Sequence, residues 1–157
     1  MENPKSQAPN SKEISSSKSQ MESVEYLDWD EGLDAELILK DEGSGEQPRD
    51  LEERTARFGE AVIRFCKKVP RNPINDRLTG QLTGASTSVG ANYAEANEGV
   101  SKKDFRYSVS RAKKEAKESR FFLRMIAASE PDLADEARRL YREANELLLI
   151  LSSIYRK

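Results

Sequence analysis

The chain has 157 residues, with 26 Lys plus Arg against 28 Asp plus Glu and a net charge of -2. That length suits one domain of ordinary size and is too short for two large ones. With no histidine and one cysteine, an internal disulfide, a thiolate cluster, His-based metal sites and His-dependent hydrolase or oxidoreductase chemistry are excluded.

The near-neutral average hides a split. Residues 1–50 carry 5 basic and 13 acidic side chains, whereas residues 51–157 carry 21 and 15, so an acidic extension precedes a basic body. Residues 1–20 are rich in Ser, Lys, Asn and Gln and are read as a disordered polar tail. In the acidic segment 21–48, Tyr26, Trp29, Leu33 and Leu37 recur at helical spacing before the DEGSGEQP run. This segment forms a short amphipathic helix or stays unfolded until it meets a surface. Its acids also match the cationic side of the body, so it either docks there as a competitive lid or serves as a solvated tail.

The body, residues 49–157, has a steady helical rhythm. Leu51, Thr55, Phe58, Val62, Phe65 and Val69 advance by alternating fours and threes, which lines one helix face. Asp50 and Glu53 have the spacing of a capping box, and Pro70 and Pro73 are expected to stop this helix. The second stripe runs through Leu78, Leu82, Ala85, Val89, Asn92 or Tyr93, and Ala96. Gly80, Gly84 and Gly90 lie inside it, each costing about 1 kcal/mol against alanine. Close approach of a neighbouring backbone is the expected compensation, and Gly99 ends the helix. Ser101 and Asp104 cap the third, whose stripe is Phe105, Val109, Ala112, Ala116, Ser119, Leu123 and Ile126. After a turn at Ser129–Asp132, the fourth stripe is Leu133, Ala137, Leu140, Ala144, Leu147, Leu151 and Ile154. Short links between four long helices predict an all-α, antiparallel, up-down-up-down four-helix bundle with left-handed, coiled-coil-like packing.

The stretch Ala91-Asn92-Tyr93-Ala94-Glu95, preceded by the Ser-rich run from Leu82 and followed by Gly99 and Lys103-Asp104-Phe105, resembles a known family. This is the four-helix-bundle family first noticed in proteins encoded by intervening sequences of bacterial 23S ribosomal RNA genes. Ala112 and Glu118 match further family positions, while Lys114-Glu115 stands where many members read Gly-Ser. The likeness spans about residues 52–155 and leaves out the acidic extension. It implies a bundle that forms homo-oligomers, with a pentamer as the specific expectation, and it suggests nucleic-acid contact without a settled activity.

Two groups of side chains stand out. Lys102, Arg106, Lys113, Lys117, Arg120 and Arg124 run along one side of the third helix, flanked by Lys103 and Lys114. Lys67, Lys68, Arg71 and Arg77 gather near the first turn. Such arrays suit backbone phosphates, but no recognition helix, zinc finger or RNP motif supports base reading. The plainer reading is a solvated basic face. Ser86, Asn92, Glu95, Arg111 and Glu118 are expected to form a structural polar cluster between helices, with Arg64 as another partner for Glu95. Glu115 and Glu118 lack the Glu-x-x-His partners of a di-iron bundle, so ordinary ion pairing is preferred. Adjacent Phe121 and Phe122 cannot face the same neighbour, which assigns them to core or subunit interface rather than to base stacking. Cys66 reads as a partly buried, inert thiol.

No apolar run approaches membrane-span length and Met1 to Gln20 lacks a signal peptide's apolar region. The expectation is therefore a cytoplasmic protein with no membrane contact, no cofactor, no metal and no catalytic residues. Its role is a non-catalytic oligomeric assembly or interaction protein. The alternative is phosphate-backbone RNA binding through the third helix. An enzyme would need a closed pocket holding Asn92, Glu95 and Arg111.

Overall fold

The computed structural model describes Trp29 and residues 48–157, the last with side chains from Leu51 onward. The chain divides into two units, Met1–Asp30 and Glu31–Lys157. In the first, Trp29 is buried. The polar tail, the helix expected within 21–40 (Trp29 apart) and its docking as a lid lie outside the described residues.

The second unit contains four helices: α1 Pro48–Cys66, α2 Pro73–Asn97, α3 Lys102–Ser129 and α4 Ala134–Arg156, the last preceded by a 3-10 turn at Pro131–Leu133. Each packs on its neighbours in sequence, and α1 also packs on α4. Arg54 meets Glu143 near the start of α1 and Lys68 meets Glu136 just beyond its end, so these two helices run antiparallel. The architecture is an all-α four-helix bundle consistent with the up-down-up-down order.

The core follows the alternating stripes. Leu51, Phe58, Val62, Phe65, Leu82, Val89, Val109, Ala112, Leu123, Ile126, Leu147 and Leu151 are all buried. Leu78, Phe105, Leu133, Leu140 and Ile154 are half-buried, because they lie toward helix ends or at stripe edges. Between α3 and α4 the interior is alanine-rich: Ala112, Ala116, Ala137 and Ala144 are fully buried. Small side chains there let two long helices approach closely.

Three helix boundaries differ from expectation. α1 begins at Pro48, so Asp50 lies inside the helix and not at its cap. Proline at the first helical position has its φ preset and loses no intrahelical bond. α1 ends at Cys66, ahead of Pro70, in a turn where the Lys68 amide donates to the Phe65 carbonyl. Pro73 starts α2 instead of stopping α1. Asn72 is the cap, its Oδ1 accepting from the amides of Ile74 and Asn75 at 3.0 and 2.9 Å. At the other end of α2, the Gly99 amide donates to the Ala96 carbonyl. A Cβ on Gly99 would sit 3.1 Å from that carbonyl and 3.3 Å from the Phe105 amide nitrogen, so the turn is tight enough to favour glycine.

The Ser101 cap is as expected: its hydroxyl oxygen accepts from the Asp104 amide at 3.1 Å and its proton goes to the Asp104 carboxylate. Ser101→Ala should lower stability by about 1 kcal/mol, read by urea unfolding.

The glycine expectation holds for Gly90 alone. A Cβ there would lie 3.3 Å from Thr55 Oγ1, and on the facing helix Gly59 lies against the backbone of Thr87. Gly80 and Gly84 are exposed and a Cβ on either would meet nothing within 4 Å. Packing inside the protomer therefore does not offset their helix penalty.

Candidate interaction surfaces

The six cations of α3 separate into two groups. Arg106 and Lys113 both lie on the Tyr155 ring, 4.7 and 4.4 Å from its centroid. Arg120 lies over the Tyr141 ring at 4.6 Å and donates to its hydroxyl. Fourteen residues forward on α3 corresponds to fourteen residues back on α4, which is the register of an antiparallel pair. These three cations are half-buried along the α3–α4 seam and contribute to packing through their stems and the ring faces. Lys102, Lys117 and Arg124 are exposed. The single solvated basic stripe is thus divided. With the core stripe written as heptad positions a and d, Arg106, Lys113 and Arg120 fall at e, which borders a seam, while Lys117 and Arg124 fall at b, which faces out. Heptad position was the available signal; the tyrosines of α4 are too distant in sequence to announce themselves.

The five residues of the polar cluster are not joined. Ser86 and Asn92 are buried, but each hydrogen-bonds within α2: Ser86 Oγ donates to the Thr83 carbonyl and Asn92 Nδ2 to the Ser88 carbonyl. Glu95, Arg111 and Glu118 are exposed, and no hydrogen bond or ion pair links any two of the five. Arg64 pairs with Glu60 on its own helix. Local partners one turn away satisfy Ser86 and Asn92, which removes the drive for an interhelical network. Burial, with the nearby charge of Glu118, pushes the Glu115 carboxyl up, opposed by Arg111 and Lys114.

Ion pairs that sequence reading did not single out join α1 to α4. Arg54 donates to both carboxylate oxygens of Glu143, at 2.8 and 3.1 Å, and also to Glu146. Lys68 reaches Glu136 at 2.8 Å. Hydrogen bonding to Glu143 raises the Arg54 guanidinium above its ordinary range, against desolvation. The Asn75 amide, 1% exposed, was also missed. Its Nδ2 donates to the Pro70 carbonyl at 2.9 Å and to Glu130 Oε1 at 2.6 Å, while its Oδ1 accepts from Ser129 Oγ at 2.7 Å. One side chain thereby ties the α1–α2 link to the end of α3. Ser129 and Glu130 are more than fifty positions away, so no local pattern signals them.

Along the α1–α2 seam runs an open groove. One depression of about 700 Å³ includes Cys66, Lys67, Arg71, Gly80 and Thr83; a second of about 340 Å³ includes Glu52, Gly59, Glu60, Thr87 and Ala91. Both include Ile63, which is 36% exposed. The outward face of α2 carries Gly80, Gly84, Thr87 and Ala91 in the same four-three-four rhythm as a packing seam. Cys66 borders the groove; burial pushes its thiol up, partly offset by the Thr83 hydroxyl that donates to the sulfur. Alkylation of Cys66 by iodoacetamide should therefore be slower at neutral pH than that of free cysteine. Its rate should rise only above the usual thiol range, which a pH–rate profile measures.

On α3, Tyr107 and Phe121 are 64% and 53% exposed, and Phe122 packs edge-on against Phe121. Among the described residues, no helix is long and apolar enough to cross a membrane. Among the same residues, no group of three or more His, Cys, Asp or Glu side chains is placed to hold a metal ion.

These features define a small helical-bundle protein whose distinctive surfaces are an open groove and an aromatic, basic ridge. Residues 50–153 match the family described as 23S rRNA-intervening sequence protein, and the chain belongs to that family. The fold is also similar to the crystal structure of a protein with unknown function from the S23 ribosomal protein family of Bacteroides thetaiotaomicron. The two share a TM-score of 0.62 and 22% identity, covering 70% of this chain and 98% of the other. No curated protein matches the chain.

Proposed function

We propose that this chain is a non-catalytic helical-bundle module that self-associates in the cytoplasm. The observation that carries this reading is the apolar surface left outside a filled core: Ile63 in the groove, with Tyr107 and Phe121 on α3. Exposed aromatic residues on α3, together with an open groove along the α1–α2 seam, favour an interface over a solvated surface. Glu95 and Arg111 point to solvent while Asn92 is buried, an arrangement unlike the closed pocket an enzyme would use. Light scattering after size separation, over a range of protein concentrations, tests the reading. A mass that is a multiple of the 17.7 kDa chain supports it; a monomer at every concentration overturns it. The pentamer implied by family resemblance is read from the same mass.

A second reading is RNA-backbone contact. It is favoured by the exposed Lys102, Lys103, Lys114, Lys117 and Arg124 on one helix and by avidity from repeated copies. Binding of structured RNA should then weaken steeply with salt. Charge reversal at Lys117 and Arg124 should abolish it without unfolding the bundle, whereas no binding at about 50 mM salt rejects it.

A further inference from the structure

We infer that residues 31–47, the part of the acidic extension that leads into α1, cover the outward face of α4 in the same protomer. The inference goes beyond self-association: it assigns α4 to the chain's own extension and leaves the α1–α2 groove and the α3 aromatic residues to other copies.

α4 carries more apolar surface than one packed face needs. Leu147, Leu148, Leu149, Ile150 and Leu151 are consecutive, and residues placed about 100° apart pass round the whole helix within that run. Leu147 and Leu151 are buried in the core, whereas Leu148, Leu149 and Ile150 are half-buried. With the α4 stripe written as a and d, Leu149 falls at f, pointing away from the core, in line with exposed Arg142 and Arg156 seven residues before and after it. A helix that is apolar all round is one that is covered all round.

The charges on this face select the occupant. All four acids of α4 are ion-paired within the bundle: Asp135 with Arg138, Glu136 with Lys68, and Glu143 and Glu146 with Arg54. The helix's other charged side chains, Arg139, Arg142 and Arg156, are cations and are exposed. Arg139 lies one turn from Arg142, so cations stand on both sides of Leu149. Residues 31–47 read EGLDAELILKDEGSGEQ, with six acids, one base and apolar Leu33, Leu37, Ile38 and Leu39. A segment with leucines among carboxylates complements a leucine between arginines.

Chain continuity brings the two together. Arg54 lies six residues into α1 and meets Glu143 and Glu146. Because α1 and α4 run antiparallel, stepping back from Arg54 to Pro48, about 9 Å, corresponds to stepping forward from Glu143 and Glu146 to Leu149 and Ser152. The extension therefore joins the bundle level with the apolar run. Its seventeen residues span roughly 25 Å as a helix and up to about 56 Å extended, against about 35 Å for the whole of α4, so they reach its full face. A tether this short holds the segment at an effective concentration on the order of mM, which a second copy in dilute solution does not match.

The test puts a benzophenone-bearing phenylalanine in place of Ser153, an exposed position one turn beyond Leu149, in the full-length chain. Isotopically light and heavy chains are mixed in urea, refolded together and irradiated, and mass spectrometry locates the product. The link should join position 153 to residues 31–47 of the same chain, light to light and heavy to heavy. Leu33→Asp with Leu37→Asp, both outside the bundle, should abolish that product while circular dichroism shows the helices retained. If light-to-heavy products dominate, another copy covers α4 and the inference fails while self-association stands. A product confined to other parts of the chain, no product in residues 31–47, or a yield there that the double substitution leaves unchanged also overturns it.

Discussion

Asn75→Ala should destabilise the bundle by about 3 kcal/mol, lowering the melting temperature by more than about 10 °C. The side chain is 1% exposed and makes three hydrogen bonds, one of them to the Glu130 carboxylate. Truncation removes those bonds, of which the one to a carboxylate is worth the most, and leaves a cavity at a buried position. A second substitution separates hydrogen bonding from volume. Asn75→Asp conserves size but sets a second carboxylate against Glu130, so it should be worse than alanine at neutral pH. Desolvation and the Glu130 charge hold that new carboxyl above its unfolded value. Protonation therefore favours the folded state, and part of the deficit should be recovered as pH falls through the carboxylate range. Urea unfolding of the three proteins across pH gives both results; equal stability of Asn75→Ala and the parent would remove Asn75 from its tying role.

Leu123→Ala should have a comparable effect, about 3 kcal/mol, through a cavity at the middle of the bundle. Leu123 is fully buried on α3, the helix that packs on both α2 and α4. The same substitution at half-buried Leu78 should cost about 1 kcal/mol or less, because less apolar surface leaves water there and the site can relax toward solvent. Against a total stability of about 5–15 kcal/mol for a domain of this kind, the first change is a large fraction and the second a small one. Chemical denaturation of both variants measures the contrast, and equal losses would mean that burial does not grade this core.

The two surfaces offered for self-association differ in how openly the sequence displays them. Phe121 and Phe122 announce a division, since neighbouring residues on a helix cannot share one contact, and the structure leaves Phe121 outside. Gly80 and Gly84 gave a misleading signal. Their penalty suggested close approach of a neighbouring backbone, and within the protomer only Gly90 of the three meets one. Composition reveals that a glycine needs a reason and does not reveal on which side of the helix the reason lies.

Periodicity alone was enough for the four helices, their order and their buried faces, because an amphipathic stripe is a local property repeated every three or four residues. The Ser101 cap was legible for the same reason, with donor and acceptor three residues apart. What joins distant segments was not. Tyr155 and Tyr141 take up three of the six α3 cations, Asn75 reaches Ser129 and Glu130, and Arg54 spans to Glu143. Each of these depends on the axial register between helices, which is settled by how whole apolar faces fit together and has no signature in any short stretch of chain.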